Sequence, residues 1–225
     1  GVPDPANVPG ARRDAVSWAD ANGNLWLFGG YGYAASGVGY LNDLWKWDGA
    51  TWTWESGSNA PNQVGVYGTK GTSASGNAPG SRSRAVSWTD RGGNLWLFGG
   101  KGHLGGLLND LWRWDGENWT WVSGSNVSSQ YGTYGTKGVA APTNSPGARE
   151  GAIGWVDNRG FIWLFGGEGY ATSEFGFLND LWMLEGTQWR WVGGSNIPNE
   201  PGRYGTKGVP DPANVPGARR DAVSW

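Results

Sequence analysis

Asn24–Gly30 reads NLWLFGG, and the same seven residues return as Asn94–Gly100. A third version, GFIWLFGG, spans Gly160–Gly167. A short apolar run bounded by turn residues fits a strand buried on both faces. The glycine pairs that close the three runs, Gly29/Gly30, Gly99/Gly100 and Gly166/Gly167, read as strand ends. There the backbone turns sharply or another segment comes close.

Outward from this stretch the whole chain keeps the same period. Tryptophan follows an arginine-containing segment at Trp18, Trp88, Trp155 and Trp225, in steps of about seventy residues. LNDLW occurs at Leu41–Trp45, Leu108–Trp112 and Leu178–Trp182, and YGTKG at Tyr67–Gly71, Tyr134–Gly138 and Tyr204–Gly208. The chain therefore divides into three units, 1–70, 71–137 and 138–207, and a remainder, 208–225. That remainder, GVPDPANVPGARRDAVSW, is identical to Gly1–Trp18, although the three units differ from one another at many positions. Identity across the ends beside divergence inside points to a larger array or to a deliberate overlap.

Within the first unit four strands are expected. They are Arg13–Trp18, Asn24–Phe28, Leu41–Trp47 and Thr51–Glu55, with polar hairpin turns at Asp20–Asn24 and Asp48–Ala50. Gly29–Tyr40 reads as a loop. The segment from Ser56 to Arg82, rich in Gly, Asn, Ser and Pro, reads as a connection between units. No helical periodicity survives the glycine density.

Composition narrows the function classes. The 225 residues include 42 Gly, 12 Pro and 18 Trp, with a net charge of −2. Aromatics at 14% argue against disorder despite the glycine and proline content. The charge balance gives no reason to expect nucleic acid or an anionic membrane surface, and no apolar run reaches the ~18 residues of a membrane helix. With no cysteine, disulfides, thiolate metal sites and cysteine nucleophiles are excluded. The chain starts at Gly1 rather than Met, which reads as a processed product, an excised piece or an engineered chain.

The order Pro-Gly-Ala-Arg, apolar strand, apolar strand ending in Gly-Gly, LNDLW and a tryptophan-rich strand resembles the kelch repeat of β-propellers. The matching positions are Arg12, Arg82, Arg149 and Arg219; the three glycine pairs; Trp45, Trp112 and Trp182 in the third strand; and Trp54, Trp121 and Trp191 in the fourth. The resemblance covers every unit. It departs in length, since a kelch unit has about fifty residues and the excess here lies in the Ser56–Pro79 connection. It implies an all-β fold of four-stranded antiparallel blades, with the loops after the glycine pairs and the connections at the two ends, where family members bind partners. It also implies an extracellular or cell-surface setting. Propellers close with roughly four to eight blades, so three blades would leave two apolar faces open. A homodimer of six blades is the simplest closure. Residues 208–225 and 1–18 would then compete for one innermost-strand slot.

Candidate sites follow from where the copies agree and differ. Arg12, Arg82 and Arg149 recur once per unit and read as scaffold forks donating to backbone carbonyls, against an anion site at a central channel. Lys70, Lys137 and Lys207 read the same way, and Asp43, Asp110 and Asp180 as turn caps. Trp47, Trp114, Trp52 and Trp119, on the strand face opposite the family tryptophans, are the candidates for stacking on a sugar. Asp20, Asn22 and Asn24 resemble the start of a calcium loop, but the equivalent turns lose the alternating oxygens, so no metal is expected. His103 is the sole histidine and sits in a loop without triad partners. The copper site of galactose oxidase, a kelch relative, has no counterpart here, for there is neither a cysteine nor a second histidine. Asn118-Trp-Thr120 and Asn126-Val-Ser128 match the glycosylation pattern. If a ligand exists, the divergent loops should hold it: Tyr31, Tyr33, Tyr40, His103, Tyr170, Phe175 and Phe177. The expectation is a non-enzymatic, self-associating scaffold without cofactor, with another protein or a glycan as a further partner. The alternatives are a carbohydrate-binding propeller and an amplified or engineered repeat without an evolved ligand.

Overall fold

The structure is a computed structural model that describes residues 1–224; Trp225, the last tryptophan of the repeat series, lies outside the described residues. The fold is all-β, with three antiparallel sheets and no helix among the described residues. The first sheet holds β1 (Arg12–Arg13), β2 (Val16–Ala19), β3 (Leu25–Ala34), β4 (Gly37–Trp47) and β5 (Trp52–Ser56). The second holds β6 (Ser73–Ala74), β7 (Arg82–Ser83), β8 (Val86–Thr89), β9 (Leu95–Gly102), β10 (Leu107–Trp114) and β11 (Trp119–Ser123). The third holds β12 (Ala140–Ala141), β13 (Arg149–Glu150), β14 (Ile153–Val156), β15 (Ile162–Tyr170), β16 (Phe175–Glu185) and β17 (Gln188–Gly193).

Three details differ from the four-strand reading. The first strand of each unit is broken in two, because Asp14, Arg84 and Gly151 at the break adopt positive φ of 55°, 52° and 61°, which no continuous strand accommodates. Both halves still pair with the next strand, Arg12 with Gly32 and Val16 with Phe28. Second, the connection between units is not featureless. Its Ser73–Ala74 pairs with Thr120 and Trp119, adding an edge strand to the sheet that follows.

Third, the glycine pair does not end the strand. β3 runs on to Ala34 and pairs with β4 out to Gly37, so Gly29–Tyr40 is a long hairpin arm. The pair makes a bulge inside it, marked by a register shift between Phe28 and Gly30. Gly29 and Gly30 have φ of 65° and 96°, and a Cβ on Gly29 would lie 2.8 Å from the Arg82 carbonyl oxygen of the second sheet. Glycine is required here because the neighbouring sheet comes this close.

The apolar core lies between sheets. Trp18, Trp26, Phe28 and Leu44 of the first sheet pack against Leu95, Leu97, Trp112, Trp114 and Trp119 of the second. Val86, Trp88, Trp96, Phe98 and Leu111 of the second pack against Ile162, Leu164, Trp182, Leu184 and Trp189 of the third. The joints are copies of each other: Phe28 meets Trp119, and Phe98 meets Trp189, each edge-to-face at 5.6 Å. The indole N–H of Trp18 donates to the Trp96 carbonyl, and that of Trp88 to the Trp163 carbonyl, both at 3.1 Å. Strands apolar on both faces are what such stacking of sheets requires.

Candidate functional site

The recurrent arginine, aspartate and tyrosine meet at one buried point in each joint. In the second sheet the Arg82 guanidinium donates twice to Asp110, at 2.6 and 2.7 Å, and also to the Gly99 and Gly80 carbonyls. Tyr67, from the YGTKG segment of the preceding unit, donates its hydroxyl to Asp110 Oδ2 at 2.8 Å, and the Trp112 indole donates to the same oxygen at 2.7 Å. Arg149, Asp180, Tyr134 and Trp182 repeat the set in the third sheet. Arg12, Asp43 and Trp45 repeat it in the first, without a tyrosine. The aspartates are therefore ion-pair partners of the arginines and not turn caps. LNDLW holds its Asp inside the strand at a register shift, as between Leu108 and Leu111 of β10, and there one carboxylate reaches both the arginine and the incoming tyrosine.

Burial shapes the ionisation of this cluster. The Tyr67 and Tyr134 hydroxyls are pushed far up, first by burial and then by the charge of Asp110 and Asp180. The Arg82 and Arg149 guanidinium groups are raised: burial opposes their charge, and the facing carboxylate outweighs it. All four groups keep their ordinary protonation state at neutral pH, and the arginines are committed to the scaffold rather than to an anion.

The other recurrent groups are also engaged. Lys70 and Lys137 donate to the Gly124 and Gly194 carbonyls and lie 4.3 Å from the ring centres of Trp121 and Trp191. Those two indoles, like that of Trp54, donate to a carbonyl two residues on. Asp20 and Asp90 close their hairpins by accepting from backbone N–H groups and from the Trp26 and Trp96 indoles. Among the described residues no group of three His, Asp or Glu side chains is placed to hold a metal, and no helix is long and apolar enough to cross a membrane.

Of the sugar-stacking candidates, Trp114 and Trp119 are buried between the first and second sheets. They are unavailable: two residues from Trp112 and Trp121, they share the face of those tryptophans rather than the opposite one, Trp119 lying against both Trp112 and Trp114, and the first sheet covers that face. Trp47 and Trp52 remain half-buried on the open face of the first sheet, paired at 5.4 Å.

The divergent-loop residues do not form one cluster. Tyr31 and Tyr40 face each other across β3 and β4 at 5.3 Å, with Arg13 over Tyr31. Tyr33 is exposed farther along the hairpin arm. Tyr170 contacts Phe175 and Tyr131 in the third sheet, and Phe177 lies under Arg220. His103 lies in the turn after β9, its backbone N–H bonded to the Ser81 carbonyl.

A polar groove of about 420 Å3 does form where the broken inner strands meet, between Arg13, Asp14, Arg84, Lys101, Glu150 and Arg220, with Tyr31 and Tyr40 at one side. Sequence reading missed these charges. They sit beside recurrent residues, at positions where the copies differ, such as Arg13, Ser83 and Glu150 after the recurrent arginine.

The C-terminal duplicate lies against the third sheet as the start of the next unit lies against the first and second. Asn42 and Asn109 donate to the Pro79 and Pro146 carbonyls, and Asn179 donates to that of Pro216. The Gly166 Cβ position faces the Arg219 carbonyl as those of Gly29 and Gly99 face Arg82 and Arg149. The backbone chain of Arg84 N–H to the Asp14 carbonyl and Gly151 N–H to the Arg84 carbonyl continues with Asp221 N–H to the Gly151 carbonyl.

No family model matches the chain, and no curated protein matches it. Among solved structures it is similar to one titled "Structure of YjhT", at 14% identity and a TM-score of 0.40, over 85% of this chain and 73% of that one.

Proposed function

We propose that the chain is a non-enzymatic scaffold of kelch-like propeller blades that associates with copies of itself through its two terminal faces. The observation that carries this reading is that the faces are the two halves of the joint made twice inside the chain. The first sheet leaves Leu25, Trp47, Trp52 and Trp54 half-buried or exposed, where Leu95, Trp114, Trp119 and Trp121 of the second sheet are covered or largely so. The third sheet leaves Trp155, Trp163 and Phe165 half-buried, where Trp88, Trp96 and Phe98 of the second are buried. A Phe165–Trp52 contact between chains would reproduce Phe28–Trp119. Two chains joined this way at both ends give six sheets, within the range in which propellers close.

The scaffold reading is supported by the use of the recurrent charged groups: within each joint they bond to the protein itself. Loops and hairpin arms at the ends of the sheets would then present the partner surface. Analytical ultracentrifugation of the full chain tests the reading. A concentration-dependent rise to twice the 24.0 kDa chain mass supports it, and a single-chain mass throughout overturns it. A second reading, glycan recognition, has the half-exposed Trp47–Trp52 pair in its favour. It predicts a tryptophan-fluorescence change on a sugar panel that Trp47→Ala removes.

A further inference from the structure

The sheet-to-sheet joint has a polar lock as well as an apolar face, and the chain carries one unmatched half of that lock at each end. In the first joint, Tyr67 enters between Trp112 and Trp121, each 5.0 Å away, and reaches Asp110. Lys70 follows onto the Gly124 carbonyl, and the chain continues into β6 and Arg82. Tyr134, Lys137 and Arg149 do the same on the third sheet, with Tyr134 at 4.8 and 5.1 Å from Trp182 and Trp191.

The third such segment enters no sheet among the described residues. Tyr204 is 79% exposed, where Tyr134 is 5% exposed. The Arg219 guanidinium donates to the Gly217 carbonyl, and no carboxylate among the described residues pairs with it. On the first sheet, Asp43 has its arginine and its indole but no tyrosine, and Trp54 is 38% exposed with no lysine over it. The tyrosine and lysine left over at one end answer the carboxylate and indole that lack them at the other, and Arg219 duplicates Arg12.

Resting on the self-association reading, we infer that Tyr204–Ser224 of one chain docks on the first sheet of a second copy as Tyr67–Ser87 docks on the second sheet. Tyr204 then enters between Trp45 and Trp54 and donates to Asp43. Lys207 covers Trp54 and donates to the Gly57 carbonyl. Arg219 takes the place of Arg12 on Asp43. Residues 1–18 of the second copy are displaced, and their identity with 208–225 lets the bonds they made be remade, apart from the contact of the N-terminal ammonium with Glu55. The exchange adds the tyrosine and lysine bonds, which the resident copy lacks, and the incoming segment stays continuous with the third sheet of its own chain, so its docking ties the two chains together without a covalent bond between them.

The test is the sedimentation-equilibrium mass of four chains: the full chain, Tyr204→Ala, a deletion of 208–225, and a deletion of 1–18. Tyr204 is exposed, so its replacement leaves the single chain folded. Tyr204→Ala is expected to weaken association at least about tenfold, as loss of a buried interface tyrosine does. Deletion of 208–225 is expected to weaken it further, and deletion of 1–18 to leave the assembled mass intact. If the full chain associates and Tyr204→Ala associates equally well, the lock is wrong while self-association stands. If a folded 1–18 deletion loses association, the exchange is wrong. Should that deletion fail to fold, a Tyr131→Ala control, also an exposed tyrosine, decides: association lost on Tyr204→Ala but not on Tyr131→Ala supports docking, and equal behaviour overturns it. A full chain that stays single removes the self-association reading itself.

Discussion

Replacing Asp110 with alanine is the most informative perturbation of the scaffold. Its carboxylate is fully buried and accepts two bonds from Arg82, one from Tyr67 and one from Trp112. The variant leaves a buried guanidinium without its counter-charge and two buried donors without an acceptor. Breaking a buried pair by removing one partner costs about 3–5 kcal/mol. For a chain of this length that corresponds to a fall in melting temperature of roughly 6–20 °C. Asp43→Ala removes the same pair where the side chains are 6% and 8% exposed and no tyrosine donates. Measured at a concentration where the chain is single, it should cost distinctly less. Removing both charges, as Arg82→Met with Asp110→Leu, should cost less than Asp110→Ala alone, since no lone charge stays buried. Chemical denaturation followed by tryptophan fluorescence reads all three. A loss below about 1 kcal/mol for Asp110→Ala, or equal losses at Asp110 and Asp43, would refute the view that the buried pair holds the joint.

Three further outcomes are expected. Trp119→Ala should cost about 3–5 kcal/mol in the same assay, whereas Trp47→Ala, its neighbour in the repeat pattern but on the open face, should cost about 1 kcal/mol or less and act mainly on association. Gly99→Ala, with φ of 65° and a Cβ 2.9 Å from the Arg149 carbonyl oxygen, should be more destabilising than Gly93→Ala, with φ of 81° and open space around it; comparison of melting temperatures settles the order. In acid, Asp90 is held below its ordinary 3.8: burial opposes its charge, and bonds from the Trp96 indole and Asn94 outweigh that. Its contribution is thus present above about pH 4 and lost as pH falls through the lowered value. Asp90→Asn should flatten the acid limb of a stability–pH profile below about pH 4, and an unchanged limb would contradict the assignment.

The sequence by itself determined the all-β class and the threefold period, because burial on both faces leaves a continuous apolar run and hairpin turns demand Asp, Asn and Gly. It also pointed to the recurrent arginines as scaffold, since a residue repeated in every unit serves what every unit shares. Only the tertiary structure decided what Asp43, Asp110 and Asp180 do, because the arginines that pair with them lie more than twenty positions away and the tyrosines come from the unit before. The glycine pairs read as strand ends from sequence alone, and proved to be bulges because the reason for them is a carbonyl of the adjacent sheet. Trp114 and Trp47 occupy the same place in the repeat, yet one is buried and the other half-open. Strand alternation fixes which face a side chain is on, and only the stacking of sheets decides whether that face is covered.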